Sequence, residues 1–324
     1  MTSRLFHIVK LFANPLKLLL FARVVDSAYR HPGKTAHRLI KTVGRKWCGI
    51  DRCGERVSAW CRWFMDCIFQ AQIDVFKARI SATLDLGAAG IGVDGLRIRC
   101  SAENANSSTV YLLGLDSNVT QFEVYRLFAL PGTAAIDVGA NLGIHSLVLS
   151  AFVGGGGKVF AFEPVPSIRA MLEENLRINN ITNVEVNECA LGNSTGEASF
   201  EENAGDFNIG KGRVNRNGRL SVTITTIDHA FRDIKLPVSI IKIDTEGYEL
   251  EVLQGAVGLL KNHRPAIVAE FNAQSYTLSK LKRYIPKDYS CFEFPKCSSR
   301  GFRLVQGDLP HSCELLIVPD EKLS

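Results

Sequence analysis

From residue 133 onward, short apolar segments alternate with longer segments in which apolar residues recur every three or four positions. The short segments are typical of strands and the longer ones of amphipathic helices. The strands are TAAIDV, KVFAFE, NVEVNEC, VSIIKID and PAIVAEF, and the helices are LGIHSLVLSAF, SIRAMLEENLRIN and YELEVLQGAVGLLKN. VSIIKID shows no polar alternation, as expected where helices cover both faces of a parallel sheet. The pattern predicts an α/β fold with a doubly wound sheet.

Further strands are predicted where the alternation breaks. EASF and SVTITTID lie between the third and fourth strands, around a polar loop. SCFEF, GFRLV and CELLIVP close the chain, with no long helix between the last two. This ending predicts an antiparallel hairpin at the sheet edge. We assign residues 131–319 to this domain. Residues 80–130 are predicted to form short strands, among them LRIRC and TVYLLGL, followed by the lead-in helix NVTQFEVYRLFAL.

Residues 1–79 are predicted to form a helical N-terminal extension that is strongly basic. They contain fifteen Lys and Arg against five Asp and Glu, a net charge of +10, so the remaining residues carry a net −5. Two interpretations stay open: the extension packs on the main domain, or it lies on an anionic membrane surface. Nucleic acid is a less favoured partner, because the extension lacks the interleaved aromatic platform of a single-strand binder.

The N-terminal segment matches neither a secretory signal nor a membrane span, because Lys10 and Lys17 interrupt its apolar run. We therefore predict a cytoplasmic protein, with peripheral membrane contact through the extension as an additional hypothesis. The chain has nine cysteines. Four of them cluster near the N-terminus, but their spacing matches no common zinc motif. Free thiols in a reducing compartment are the favoured interpretation.

The segment IDVGANLGIH places a glycine turn directly after the first strand of the domain. A dinucleotide fingerprint starting at Gly139 would need glycines at 141 and 144, where the chain has Asn141 and Ile144. A P-loop would need G-K-[ST], which is absent from this turn. We predict that Gly139, Ala140, Asn141 and Gly143 contact a different cofactor.

Two carboxylates at neighbouring strand ends indicate which cofactor this is. Asp137, just before the turn, would repel a pyrophosphate but attract an ammonium group. Glu163, which ends the second strand, can accept hydrogen bonds from both ribose hydroxyls. S-adenosylmethionine carries both groups, and we predict it as the cofactor. At the third strand end, Asn187 and Ala190 are candidate contacts to its adenine ring.

The fourth strand, in SIIKIDTEGYELEVLQGA, carries further charged residues. Lys242 and Asp244 share one face of a buried strand, so Lys242 either pairs with a carboxylate or reaches the strand-end cleft. Asp244 ends the strand beside the glycine turn and is the first candidate for a catalytic base. Asp244, Glu246 and Glu270 would bind a hard cation if they converged. We predict no required metal.

Together these motifs resemble those of the FkbM family of S-adenosylmethionine-dependent methyltransferases. The resemblance rests on IDVGANLGIHSL, VFAFEP, VNECALG, TTID, IIKIDTEGYELEVLQGA and ELLIVP, within about residues 115–319. It implies a seven-stranded class I methyltransferase sheet and methyl transfer, commonly to a hydroxyl of a saccharide or natural product. Related sequences often carry an aromatic residue at the position of His145, which we keep as a second catalytic candidate.

The function favoured by these observations is S-adenosylmethionine-dependent O-methylation of a saccharide, glycolipid or natural product. Asp244, His145 or a water molecule held by either would take the proton of the acceptor hydroxyl. One alternative is a non-catalytic glycan- or lipid-binding module that retains the fold. A nucleotide-dependent oxidoreductase is another, disfavoured by the glycine spacing.

Overall fold

The protein is described by a computed structural model that covers residues 81–85, 96–101, 119–201, 213–214, 220–294 and 301–323. The predicted N-terminal extension and the predicted strand TVYLLGL lie outside the described residues.

An eight-stranded sheet forms the centre of the molecule. In chain order its strands are β3 (Ala134–Val138), β4 (Lys158–Phe162), β5 (Val184–Asn187), β10 (Val238–Ile243), β11 (Ala266–Phe271), β12 (Tyr289–Phe294), β13 (Arg303–Leu304) and β14 (Cys313–Pro319). The strand order is β13-β12-β14-β11-β10-β3-β4-β5. The five strands from β11 to β5 run parallel, whereas β12, β13 and β14 pair antiparallel. This arrangement confirms the doubly wound sheet and its antiparallel edge.

The sheet has one more strand than the seven expected. The additional strand, β13, has two residues and pairs with β12 through Phe292–Leu304 and Glu293–Arg303. Only Arg303 and Leu304 of the predicted strand GFRLV pair with β12. Both residues are exposed, and among the described residues no further strand pairs with β13.

Helices cover both faces of the sheet. They are α1 (Val119–Phe128), α2 (Ile144–Val153), α3 (Pro166–Ile178), α4 (Ile227–Ala230), α5 (Glu249–Gln254), α6 (Val257–His263) and α7 (Leu278–Leu281). Apolar side chains of α1, α2 and α3 pack in one core cluster, and those of α4 to α7 pack in a second one. Every residue of β3 and β10 is buried between them, which explains their unbroken apolar sequences.

The predicted helix YELEVLQGAVGLLKN is in fact two short helices, α5 and α6, which meet at Gly255. A Cβ atom at Gly255 would lie 2.0 Å from the carbonyl oxygen of Gly192. Close backbone contact with the neighbouring loop therefore interrupts the helix, which periodicity alone does not show.

Two smaller sheets complete the described structure. The first contains β6 (Ala190–Leu191), β7 (Gly196–Glu201), β8 (Arg213–Val214) and β9 (Leu220–Thr225), in the order β6-β9-β7-β8. The second is the antiparallel pair β1 (Ser81–Asp85) and β2 (Arg97–Ser101). No helix in the described ranges has both the length and the apolar character needed to cross a membrane.

Candidate active site

The glycine turn between β3 and α2 uses backbone conformations that favour glycine. Gly139, Asn141 and Gly143 have φ angles of 73°, 49° and 84°. A Cβ atom at Gly139 would lie 2.0 Å from the carbonyl oxygen of Asp244. The turn therefore touches the end of β10 directly, and Gly139 has no room for a side chain.

The backbone N–H groups of this turn are all bonded within the protein. Those of Gly139 and Ala140 donate to the Phe162 carbonyl at 3.1 and 3.0 Å, and that of Gly143 donates to the Ala140 carbonyl at 2.8 Å. The Asn141 N–H donates to Glu163 Oε2 at 2.9 Å, and the Leu142 N–H donates to Asn141 Oδ1 at 2.9 Å. A phosphate-binding turn instead points its N–H groups at the ligand. This turn is therefore unsuited to a pyrophosphate.

Glu163 lies directly after β4 and closes the turn from the other side. Its Oε2 accepts the hydrogen bond from Asn141, and its Oε1 accepts one from the Val165 N–H at 3.0 Å. The side chain is buried, and burial raises its pKa to about 7, although both backbone hydrogen bonds and Lys242 act to lower it. One lone pair on each oxygen is left for further donors, such as a pair of hydroxyls.

Asp137, two residues before Gly139, is fully buried. Its Oδ2 accepts a hydrogen bond from Ser146 Oγ at 2.6 Å, and its Oδ1 lies 3.1 Å from Lys242 Nζ. The contact with Lys242 is an ion pair whose angles do not meet hydrogen-bond criteria. Oδ1 therefore has no hydrogen-bond donor among the described residues. The predicted contact between Asp137 and an ammonium group stays a prediction, since in this structure Lys242 neutralises the carboxylate.

Lys242 pairs with a carboxylate, which was one of its two expected roles. Its Nζ also donates to the Gly139 carbonyl at 2.8 Å and lies 3.9 Å from Asp244 Oδ2. Burial acts to lower the pKa of this ammonium group, but Asp137 and Asp244 raise it above its usual value. A protonated lysine thus connects the buried aspartate, the glycine turn and the end of β10.

Asp244, Glu246 and Glu270 converge at the ends of β10 and β11. One carboxylate oxygen of each lies within 4.8 Å of the others. Asp244 is partly exposed, with 37% of its side-chain surface accessible. The convergence that the sequence left open is therefore present. These carboxylates can accept hydrogen bonds from hydroxyl groups.

Glu249 organises the loop that carries Asp244 and Glu246, and the sequence did not single it out. Its Oε1 accepts hydrogen bonds from the N–H groups of Thr245 and Gly247, both at 3.0 Å. Its Oε2 accepts one from the Tyr276 hydroxyl at 2.9 Å. Burial raises the pKa of this fully buried carboxyl against the effect of these bonds. The sequence feature that could have identified this role is the position of Glu249 in KIDTEGYE, two residues after the glycine of the loop.

His145 is the second residue of α2, and its ring contacts aromatic residues of α1. The Tyr125 hydroxyl and His145 Nδ1 share a hydrogen bond of 2.9 Å. The Phe122 and Tyr125 rings each lie 5.7 Å from the imidazole, centre to centre. Burial raises the pKa of Tyr125 well above its usual value, and so do the charges of Asp137, Glu314 and Asp244. Tyr125 therefore stays protonated and lies within the electrostatic field of Asp244.

The two predicted adenine contacts lie near the β5 end of the sheet. The Asn187 carbonyl accepts a hydrogen bond from the Glu163 N–H at 3.0 Å, which links the second and third strand ends. The Asn187 side chain is partly exposed, whereas Ala190 is buried in β6. Asn187 is adjacent to Glu163, as expected, while Ala190 packs in the core of the small sheet.

Asn175 on α3 supports the glycine turn, and it also escaped the sequence analysis. Its Nδ2 donates to the Leu142 carbonyl at 2.9 Å, and its Oδ1 accepts from the Arg99 N–H at 2.6 Å. Four residues later, Asn179 pairs in the same way with both backbone groups of Arg97. The two amides bind the β2 backbone to α3, but only Asn175 reaches the turn. An asparagine in a polar helical segment gives no sequence signal of this role.

The sheet order and the glycine turn define an α/β fold of the methyltransferase type. In open α/β sheets, ligands bind at the carboxyl ends of the strands, where the candidate carboxylates lie. The Methyltransferase FkbM domain family matches residues 137–304, slightly more than half of the chain. The chain belongs to this family.

Individual relatives show similarity over parts of the chain. The hexuronic acid methyltransferase AglP of Haloferax volcanii is 32% identical over 133 residues. This match covers 41% of the chain and spans about half of the relative's length, 53%.

Two solved structures are also similar. An FkbM methyltransferase from Methylobacillus flagellatus has 17% identity and a TM-score of 0.38, with 71% of this chain and 56% of that chain covered. An S-adenosylmethionine-dependent O-methyltransferase from Thermotoga maritima has 15% identity and a TM-score of 0.37, with 63% and 64% covered. Both TM-scores are below 0.5. The fold of this chain is defined by its sheet order and by the family match.

Proposed function

We propose that the protein is an S-adenosylmethionine-dependent methyltransferase that methylates a hydroxyl group of a saccharide. The observation that carries the proposal is the glycine turn, whose N–H groups from residue 139 to 143 are all bonded internally while Glu163 closes it. Such a turn suits a cofactor that presents a ribose and no pyrophosphate, and membership of a methyltransferase family supports a methyl donor.

The residues present fit the ribose of this cofactor. Glu163 retains lone pairs for two hydroxyls. Gly139 and Gly143 allow the turn that contains them to pack closely against Asp244 and Leu172. The fit to the ammonium group is less direct, because Lys242 already holds Asp137. Asp137 then acts through Lys242, which donates to the Gly139 carbonyl and so fixes the turn.

When bound, the cofactor supplies a methyl group on a positively charged sulfur, already activated for displacement. The protein has to align the acceptor hydroxyl and accept its proton. Our first candidate for this role is Asp244, which lies directly after β10 and whose backbone contacts the turn at Gly139. His145, held by Tyr125, is the second group able to take the proton.

A saccharide is the proposed acceptor class because Asp244, Glu246 and Glu270 converge at the strand ends. An ionised carboxylate accepts hydrogen bonds and donates none, and a sugar offers several closely spaced hydroxyl donors. The relative AglP acts on a hexuronic acid according to its name, so hexuronates belong in the acceptor panel beside neutral hexoses. Three nearby carboxylates favour the neutral sugars.

Calorimetry tests the cofactor. We expect S-adenosylhomocysteine to bind, NAD not to bind, and Glu163→Ala to weaken binding by about 1.5–3 kcal/mol, the range for hydrogen bonds to a charged group. Binding of NAD in place of S-adenosylhomocysteine would overturn the proposal.

Transfer of a labelled methyl group to a panel of acceptors then tests the activity. Cofactor binding without methyl transfer to any saccharide or lipid-linked glycan would favour the non-catalytic glycan-binding alternative.

A further inference from the structure

Three donor side chains of different chemical types meet at the antiparallel edge of the sheet. Glu293 is on β12, Cys313 is the first residue of β14, and His311 lies two residues before it. One oxygen, one nitrogen and one sulfur atom of these residues lie within 4.8 Å of one another. This group is separate from the Asp244, Glu246 and Glu270 group near the glycine turn.

The spacing within this group fits shared coordination better than a direct ion pair. His311 Nε2 lies 3.4 Å from Glu293 Oε2. A charge-assisted hydrogen bond would be about 2.7–2.9 Å long. Two ligands of a tetrahedral ion with bonds of about 2.0–2.1 Å lie roughly 3.3 Å apart. Oε2 of Glu293 is buried, and its contacts with His311 and Arg303 are ion pairs that do not meet hydrogen-bond geometry.

Arg303 contacts both carboxylate oxygens of Glu293, including Oε2. Its Nε donates to Oε1 at 2.8 Å, and one of its terminal nitrogens lies 2.7 Å from Oε2. Carboxylates that bind metals are commonly held by such outer partners, which orient them. A surface ion pair would explain Arg303, Glu293 and His311, but it gives no role to the thiol of Cys313.

We propose that Glu293, His311 and Cys313 bind a zinc ion or a similar transition-metal ion. Thiolate, imidazole and carboxylate are the three ligand types that Zn²⁺ takes in proteins. On binding, Cys313 releases its thiol proton to solvent, and the sulfur, nitrogen and oxygen atoms each donate an electron pair to the ion. The bound ion ties the β12–β13 hairpin to the start of β14.

Cobalt titration of the metal-stripped full-length protein tests this site. The thiolate-to-cobalt absorption band and competition by zinc report binding through sulfur. We expect Cys313→Ser and His311→Gln to bind one equivalent fewer than the wild type, or to bind that equivalent at least ~10-fold more weakly. Cys189→Ser, which removes a thiol outside the group, is the matched control and should titrate like the wild type. Because every variant retains the N-terminal cysteines, the difference isolates this site.

Thermal melting gives an independent measurement. Zinc should raise the melting temperature of the wild type and of Cys189→Ser but not that of His311→Gln, since a ligand stabilises only the state that binds it. His311 is exposed, so its substitution is compatible with folding even if Cys313→Ser is not. Identical cobalt titrations in the wild type and His311→Gln would overturn the proposal and leave the group as a surface ion pair.

Discussion

The carboxyl group of Glu163 makes the stability of the folded protein depend on pH. Its folded-state pKa of about 7 lies above the ordinary value of 4.5, mainly because of burial. The folded protein therefore holds this proton more tightly than the unfolded chain does. The resulting stabilisation is complete below about pH 4.5 and is lost as the pH rises through about 7.

Glu163→Gln should remove this dependence. Relative to the variant, the wild type should lose about 3 kcal/mol of unfolding free energy between pH 4.5 and pH 8. Denaturant unfolding at several pH values measures it, and other groups cancel in the difference. Glu188→Gln is the control, since that carboxylate is exposed and should leave the wild-type slope unchanged. Parallel pH profiles for wild type and Glu163→Gln would contradict the prediction.

Asp244 is the residue expected to affect turnover most directly. Asp244→Asn should lower the methyl-transfer rate by at least ~10²-fold, the lower range for loss of a general base. Cofactor affinity should stay within a few-fold, because the Asp137–Lys242 pair at 3.1 Å remains intact. Steady-state kinetics, calorimetry and a thermal melt on the same variant check both statements. Normal turnover in Asp244→Asn and a loss in His145→Gln would transfer the role of base to His145.

Asn175 in α3 and Asn179, directly after this helix, both bind β2, and together they distinguish an effect on stability from an effect on cofactor binding. Asn175 contacts both the turn and β2, whereas Asn179 contacts β2 and its own helix. Asn175→Ala leaves the buried Leu142 carbonyl without its side-chain donor, and such groups cost about 1–3 kcal/mol each.

We expect Asn175→Ala to lower the unfolding free energy by at least about 2 kcal/mol and to weaken cofactor binding about tenfold. Asn179→Ala is the matched control. It removes the equivalent contact with β2 at a partly exposed position, so it should cost about 1 kcal/mol and leave cofactor affinity unchanged. If both variants bind the cofactor like the wild type, α3 supports only the fold.

Charge is unevenly distributed over the whole molecule, with +10 in residues 1–79 and −5 in the remainder. We expect the full-length protein to bind vesicles that contain anionic lipid at low salt and to be released as salt rises. Replacing Lys10 and Lys17 by Gln should weaken binding by roughly 2 kcal/mol, at about 1 kcal/mol for each basic residue near the surface.

The matched control replaces Lys280 and Lys287, two exposed lysines of the acidic body, by Gln. This variant has the same net charge as the first and should bind vesicles like the wild type. Vesicle co-sedimentation with neutral lipid as the blank measures all three proteins. Equal binding by the two double variants would show that net charge, and not the basic extension, governs attachment.

Much of the architecture follows from local patterns. Unbroken apolar strands such as VSIIKID, amphipathic helices and glycine turns determine the parallel sheet, because they reflect which faces must be buried. The same patterns place Asp137, Glu163 and Asp244 at strand ends. The family resemblance could be seen from IDVGAN and KIDTEGYE because each motif is a short contiguous segment at the end of a strand.

Only the tertiary structure decided what those residues touch. Lys242 faces Asp137 because β10 lies beside β3 in register, and more than a hundred residues separate the two in the chain. Asn175, Glu249 and Tyr125 became part of the site through packing between elements, which leaves no periodic trace in sequence. Asp137 was predicted from its strand-end position to attract an ammonium group, and in the structure it is buried and paired with the ammonium group of Lys242. Strand ends are set by local chemistry, whereas the partners of a buried charge are set by which strands become neighbours.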